Sequence, residues 1–204
     1  MRKRTYFSRL PLQIFLLLLV CLCSCSSGPK GCVIKGNVKA EGYEGKMVYL
    51  CDPYTQAACD SISVRDGKFN FDLGEQPSAV LLLKLKSSAD DSFPITLPVV
   101  TENGTVKVVL GKLVFTSGTP LNDKLQDFLL AVDRFSDKMS KSGEGVENIR
   151  TEFMHLLETS ILQNKDNPVG AYIFRAYSSR LTPECKVTLL EKAGEEFRKE
   201  IETK

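Results

Sequence analysis

Residues 61–71 read SISVRDGKFNF, and this stretch decides the fold class of the first half of the chain. Polar and apolar residues alternate on both sides of Asp66 and Gly67, with the period of a half-buried β-strand. An Asp-Gly pair tolerates the positive φ values of a two-residue hairpin turn. The stretch therefore predicts two strands joined by a tight turn.

Short strands of the same kind surround this hairpin. They are predicted at residues 33–40, 47–50, 61–64, 69–71, 79–85, 93–100, 106–110 and 113–115. Pro94 and Pro98 indicate an irregular or edge strand, because proline cannot donate a ladder hydrogen bond. Many short strands separated by turn residues favour an antiparallel sandwich. We therefore expect an antiparallel β-sandwich domain over residues 32–117.

The hydrophobic period changes from that of a strand to that of a helix at Gly118. Thr119 is a typical N-cap and Pro120 a typical first helical residue, and apolar residues then recur on one stripe. Further helix starts are predicted near Val146, at Asn167-Pro168 and at Thr182-Pro183. Amphipathic helices need a partner for their apolar faces, so the four should pack on one another or on the sheet. The predicted fold class is α+β, with a four-helix domain over residues 118–204.

Residues 1–25 have the organisation of an export signal. Four basic residues near the start precede an apolar run at residues 14–23. This run is too short to span a bilayer, which takes about 20 residues as a helix. Residues 22–25, LCSC, resemble the lipobox of bacterial lipoproteins. The resemblance implies a signal peptide over residues 1–24, acylation of Cys25 and a tether over residues 25–31. The alternative is that Cys25 simply follows a secretory cleavage site.

Removing the predicted signal changes the sign of the net charge. The whole chain has 27 basic and 25 acidic residues, and residues 1–24 hold four of the basic ones. The mature chain would keep 23 basic and 25 acidic residues, a net charge of −2. A weakly acidic protein without a basic patch is a poor candidate for nucleic-acid binding. The partners we expect are membrane lipid, through acylated Cys25, and an envelope protein or polymer.

The cysteines and other reactive residues do not assemble into a known catalytic motif. Cys51 and Cys59 flank a short connection between two predicted strands, so a disulfide is geometrically conceivable, and two free thiols are the alternative. No CxxC pair occurs in the mature chain. His155, the only histidine, is expected to be an ordinary helix residue. Asp90 and Asp91 are too few ligands for a cation site. We expect no enzyme, no metal site and no cofactor.

Two groups of short motifs resemble known families. Residues 33–36 (VIKG), 48–50 (VYL), 60–61 (DS) and 66–71 (DGKFNF) are similar to the domain of unknown function 4369. Residues 118–123 (GTPLND) and 167–172 (NPVGAY) resemble the helical linker that follows this domain in Bacteroidetes lipoproteins of the TlpA/ResA thiol-disulfide oxidoreductase type.

In those relatives a thioredoxin module with a CxxC follows the linker, whereas this chain ends at Lys204. The resemblance therefore implies a protein without the catalytic module, and no catalytic residue is carried over. Asp60-Ser61-Ile62 resembles a three-residue O-glycosylation motif of Bacteroidetes envelope proteins, which would modify Ser61. The alternative is an ordinary strand start.

Together these observations predict an envelope lipoprotein with a non-catalytic binding or accessory role. An outer-membrane protein facing the periplasm is expected, because no acidic cluster follows Cys25 closely. The alternative function is an accessory or regulatory partner of a separate periplasmic thioredoxin-like oxidoreductase.

Overall fold

The computed structural model describes residues 30–88 and 90–202. The predicted signal peptide, the lipidation site Cys25 and most of the predicted tether lie outside the described residues. Within the described ranges, no helix is long and apolar enough to cross a membrane.

Eight strands come first and form two sheets of four. The strands are β1 (Cys32–Lys39), β2 (Met47–Cys51), β3 (Ala58–Ser63), β4 (Lys68–Gly74), β5 (Ala79–Leu85), β6 (Ile95–Thr101), β7 (Gly104–Gly111) and β8 (Phe115–Ser117). One sheet has the order β4-β1-β7-β8 and the other has the order β3-β2-β5-β6. The sixth strand, which contains Pro98, lies at a sheet edge, as its prolines predicted.

All strand pairs but one are antiparallel. The exception is β1 with β7, which run parallel with Cys32 opposite Gly104. The prediction of a purely antiparallel fold is therefore wrong for this pair. Between β1 and β7 the chain forms β4 of the same sheet and all four strands of the other sheet. It then forms β7, which runs in the same direction as β1. Strand periodicity cannot reveal this, because parallel and antiparallel neighbours share the same two-residue period.

The Asp66-Gly67 turn forms as predicted, but it joins the two sheets instead of two paired strands. Arg65 and Lys68 donate backbone hydrogen bonds to each other's carbonyl oxygens, both at 2.9 Å. Asp66 and Gly67 have φ values of 51° and 65°, which an Asp-Gly pair tolerates. Beyond this single bridge, β3 continues in one sheet and β4 in the other. The carboxylate of Glu44 accepts hydrogen bonds from both turn amides and braces this corner.

The inner faces of both sheets contribute to one hydrophobic core. Its buried members include Ile34 of β1, Leu50 of β2, Leu83 of β5 and Val106 of β7. Gly36 of β1 lies opposite Phe69 of β4, and a Cβ atom there would lie 2.0 Å from ring carbons of Phe69. The missing side chain lets the phenylalanine ring lie over the strand, so glycine is required for this packing.

Five α-helices follow the strands in the described part of the chain, not the four predicted. They are α1 (Pro120–Ser142), α2 (Val146–Gln163), α3 (Pro168–Ala176), α4 (Pro183–Ala193) and α5 (Glu195–Glu202), with a turn of 3-10 helix at Ser178–Arg180. The fourth predicted helix is divided at Gly194, whose φ of 95° and ψ of 175° lie outside the helical region.

The helices share a second hydrophobic core that reaches onto the sheet. Leu125, Leu157 and Ile173 are fully buried in it, together with Val80 of β5 and Val100 of β6. The helical region is therefore packed directly against one sheet. Val146 was predicted to face inward, but it is 83% exposed at the first position of α2.

Candidate functional site

Asn122, in the first turn of α1, joins that helix to both sheets. Its Oδ1 accepts hydrogen bonds from the backbone N–H of Val100 (2.9 Å) and from the Thr116 hydroxyl (2.9 Å). Its Nδ2 donates to the backbone oxygen of Val100 (2.7 Å) and to Oγ1 of Thr119 (2.8 Å). Val100 lies in β6 and Thr116 in β8, so one fully buried amide substitutes for a strand partner and fixes where α1 lies.

The start of α1 is capped from outside the helix. Thr119 is at the predicted N-cap position, but its side chain makes no capping hydrogen bond. Instead Oε1 of Glu102 accepts hydrogen bonds from the backbone N–H groups of Leu121 (2.7 Å) and Asn122 (3.2 Å). A carboxylate at a helix N-terminus satisfies unpaired donors and interacts favourably with the helix dipole. The GTPLND motif (residues 118–123) therefore holds the start of α1 against both sheets, and we call this contact the joint.

This joint creates an open groove of about 580 Å³, which we call the β8–α1 groove. One wall is formed by residues 112–117, which include β8 and the loop before it. The other wall is a stripe on α1 formed by Asp123, Gln126, Asp127, Leu130 and Asp133. Gln126 and Asp127 lie three and four residues after Asp123, Leu130 lies four and three residues after them, and Asp133 follows Leu130 by three; residues at these spacings share one helix face.

The groove exposes apolar side chains. Leu113 is 76% exposed and Leu130 is 41% exposed, and Val114 and Phe115 are also exposed. Scattered exposed leucines are common on soluble proteins, but four apolar residues grouped in one concave surface are typical of a binding site. This groove is the candidate functional site.

Negative charge surrounds the apolar floor of the groove. Three aspartates and one lysine line it, which leaves an excess of two negative charges. The ion pairs among the described residues involve neither Asp127 nor Asp133. Burial raises the pKa of Tyr177, and the negative charge of Asp133 raises it further. The carboxylates of Asp127 and Asp133 are therefore not held in an ion pair with a described lysine or arginine.

The structure brings Cys51 and Cys59 to adjacent strands and records both as free thiols. Cys51 is buried in β2 opposite Ala58, whereas Cys59 is exposed in β3 beside an irregularity of the strand pairing. Burial raises the pKa of the Cys51 thiol. The disulfide therefore stays a prediction, which chemical labelling can test.

We expect Cys59 to be alkylated first at pH 8, with Cys32, Cys51 and Cys185 reacting far more slowly. The thiolate is the reacting species, and burial raises the pKa of each of these three thiols. Peptide mapping after a timed pulse of iodoacetamide would measure the order. Labelling of Cys59 only after a reductant is added would support the disulfide instead, and equal labelling of all four would contradict the burial described above.

His155, Glu158 and Cys185 lie in a row at the helical region, an arrangement that the sequence analysis missed. The Cys185 sulfur donates to Oε1 of Glu158 at 3.1 Å, and Nδ1 of His155 lies 4.0 Å from Oε2 of the same carboxylate. Burial and then the Glu158 carboxylate raise the pKa of Cys185 to about 12. The carboxylate that accepts from the thiol favours its protonated form, and His155 contacts the other oxygen of this carboxylate.

This protonated thiol has a consequence for stability against pH. The folded-state pKa of Cys185 is above the value of 9.0 of an ordinary thiol, so the group stabilises the fold at pH below 9. This contribution is lost as the pH rises towards 12.

No group of three or more metal-ligating residues is found among the residues that the structure describes.

The remaining residues named in the sequence analysis lie apart from the groove. The Asp91 carboxylate accepts hydrogen bonds from the Ser87 N–H (2.8 Å), the Ser87 hydroxyl (2.7 Å) and the Phe93 N–H (2.9 Å). These bonds lower the pKa of Asp91 and brace its loop. Ser61 is exposed on β3, an edge strand, so its hydroxyl is accessible, and its glycosylation stays a prediction.

The connection between Cys51 and Cys59 contacts the helical region through Tyr54. The Arg175 guanidinium lies over the Tyr54 ring at 5.2 Å from its centroid. The same guanidinium donates hydrogen bonds to the backbone oxygens of Glu200 and Ile201 in α5. One arginine thus connects the β2–β3 loop to the last helix, with its cation near the negative end of the helix dipole.

Sequence reasoning missed the groove because its apolar residues had been assigned elsewhere. Residues 113–115 were predicted as the last strand, whereas the strand begins only at Phe115. Leu130 is the residue whose position in the sequence could have indicated the groove. It lies off the inward stripe of α1, which contains Leu125, Phe128 and Leu129, so the helix has a second apolar position that its own packing does not explain.

Comparison with known proteins supports the sequence resemblance over the sheets and the joint. No curated protein matches this sequence. A family model described as "Domain of unknown function (DUF4369)" matches residues 32–125, which include all eight strands, Asn122 and the first turn of α1. Residues 32–125 of this chain therefore match the DUF4369 family model, in agreement with the resemblance seen in the sequence.

Proposed function

We propose that this protein is a lipid-anchored envelope lipoprotein that holds a partner protein in the β8–α1 groove without catalysing a reaction. The anchor would be acylated Cys25, and the outer membrane, with the protein facing the periplasm, is the location that its signal favours. The two sheets, which share one core, would form a β-sandwich that carries the groove at one edge. The helical region would complete the groove through α1.

The observation that carries this proposal is the exposure of apolar side chains in the groove. Leu113 and Leu130 both line it, from the loop before β8 and from α1, and are exposed by 76% and 41%. The free energy of transfer of such side chains from water favours a covered state by about 25 cal/mol per Å² of apolar surface.

Site-specific photocrosslinking in intact cells tests the proposal. A photoreactive amino acid at Leu113 of the full chain should give one discrete adduct, and the same group at Val187, an exposed residue of α4, should not. The adduct at Leu113 should be lost in the Leu130→Ser background. Equal adducts at both positions, or an adduct that survives Leu130→Ser, would show that the groove is not the docking site.

The accessory redox function is the second candidate, because Cys59 is an exposed thiol next to Cys51. The Cys59 thiolate would attack the disulfide of an oxidised thioredoxin-like partner, which forms a mixed disulfide and releases the partner's second cysteine as a thiolate. Acid-quenched cells should then contain a reductant-sensitive complex that Cys59→Ser removes and Cys185→Ser preserves. Absence of any such complex would eliminate this candidate.

A further inference from the structure

We propose that the β8–α1 groove takes an extended protein segment in which apolar residues are flanked by lysine or arginine. This inference rests on the proposed docking function and adds the chemistry of the partner.

The apolar part of the segment follows from the floor of the groove. Leu113 and Phe115 on one wall and Leu130 on the other offer an exposed hydrophobic surface. A volume of about 580 Å³ is within the range of about 300–1,000 Å³ that is usual for binding pockets. The occupant therefore places apolar side chains at its centre.

The basic flanks follow from the aspartates on α1. Asp123 and Asp133 are ten positions apart, and at 1.5 Å per helical residue they are separated by about 15 Å along the axis. An extended chain covers this distance with about five residues at about 3.3 Å each. Basic residues at both ends of a five-residue segment can therefore approach the carboxylates while its centre covers the floor.

The charge is local to the groove and is not a reflection of an acidic protein. The mature chain would have a net charge of −2, from 23 basic and 25 acidic residues. The groove alone has an excess of two negative charges. The rest of the mature chain is therefore balanced, and a cationic ligand is directed to this surface specifically.

The backbone of β8 does not offer a free strand edge for the segment. The Thr116 N–H, which would be available to an added strand, donates to Oε1 of Gln126 at 2.8 Å. Recognition must therefore rely on side chains, in contrast to the addition of a peptide strand to an open sheet edge.

Binding of two dye-labelled probe peptides to the full chain in lipid nanodiscs tests the inference. The probes are Lys-Leu-Phe-Leu-Lys and Glu-Leu-Phe-Leu-Glu, both with blocked ends, measured by fluorescence anisotropy. The basic probe should bind more tightly than the acidic probe. The double variant Asp123→Asn/Asp133→Asn, in which the introduced amide oxygen at position 123 can still accept from the Gly118 N–H, should weaken the basic probe by about 3- to 30-fold at about 10 mM ionic strength. Salt at about 1 M should remove most of this difference, because the Debye length falls to about 3 Å.

A variant with the same net charge serves as the control. Glu191→Gln/Glu196→Gln also removes two exposed carboxylates, but from α4 and α5, and it should leave binding within about 2-fold. If this control weakens the basic probe as much as Asp123→Asn/Asp133→Asn does, the charges of the groove are not recognised and the inference is wrong.

The apolar variant Leu113→Ser/Leu130→Ser separates this inference from the docking function itself. If both probes bind equally and both are lost in this variant, the groove is a docking site but its partner is not basic. If the basic probe binds unchanged to this variant, the groove is not the site and both proposals fail.

Discussion

Replacing Asn122 with alanine is expected to lower the free energy of unfolding by about 3–5 kcal/mol. The substitution leaves the buried N–H and C=O of Val100 and the hydroxyl of Thr116 without their partner. Each buried polar group that loses its hydrogen bond costs about 1–3 kcal/mol. Since small domains are stable by only about 5–15 kcal/mol, this single change removes a large fraction of the total.

The near-isosteric variant Asn122→Asp keeps the volume of the side chain but removes the N–H donors of Nδ2. It therefore separates the effect of lost volume from the effect of lost hydrogen-bond donors. The introduced carboxylate keeps the acceptor for the Val100 N–H but places a negative oxygen against the Val100 carbonyl, where Nδ2 now donates. Burial and this repulsion should raise the pKa of the introduced group in the folded state. The variant should therefore regain stability as the pH falls from 7 to 4, because the protonated carboxyl can donate again.

Urea unfolding followed by circular dichroism would measure both variants, with Asn70→Ala as the matched control. Asn70 is exposed on β4, so its replacement should change stability by less than about 0.5 kcal/mol. An Asn122→Ala variant that is as stable as the control would contradict the role of this amide as the joint between α1 and the sheets.

Replacing Gly170 with alanine should destabilise the protein by about 2–4 kcal/mol, the opposite of the usual sign. Glycine in an ordinary helical position is less favourable than alanine by about 1 kcal/mol. In α3, however, a Cβ atom on residue 170 would lie 2.3 Å from the backbone oxygen of Asn164. The obstacle is backbone at the end of α2, so the two helices must move apart and disturb the packing of Val169 and Ile173.

Gly145→Ala is the matched control, since a Cβ atom there meets nothing within 4 Å. Its effect should stay within about 1 kcal/mol in the same urea titration, in line with the modest preferences at helix N-caps. If Gly170→Ala proves neutral or stabilising, the close contact between α2 and α3 is not present in solution.

Local patterns in the sequence predicted the elements well. The fifth strand was predicted at residues 79–85, which are its bounds in the structure, and the helix starts at Pro120, Pro168 and Pro183 were each marked by a proline after an N-cap residue. These features depend on neighbouring residues along the chain, on turn chemistry and on capping. They could therefore be inferred without a three-dimensional arrangement.

Properties that depend on distant residues could not be predicted in the same way. The capping of α1 by Glu102, the contact of Gly170 with Asn164 and the division of β3 and β4 between two sheets each require knowledge of which segments meet. The same holds for the groove, where Leu113 could not be recognised as exposed. Apolar alternation indicates that a strand has an apolar face, but it does not indicate whether another element covers that face.

The parallel pairing of β1 with β7 determines how late the first sheet can be completed. Cys32 is opposite Gly104, which lies 72 positions further along the chain. The first described strand therefore cannot pair with β7 until those residues have been synthesised. Closing so long a loop is slow compared with forming local contacts. During synthesis, β1 would therefore emerge early and remain without one of its two neighbours, with its unpaired backbone groups open to pairing with other chains until β7 is in place.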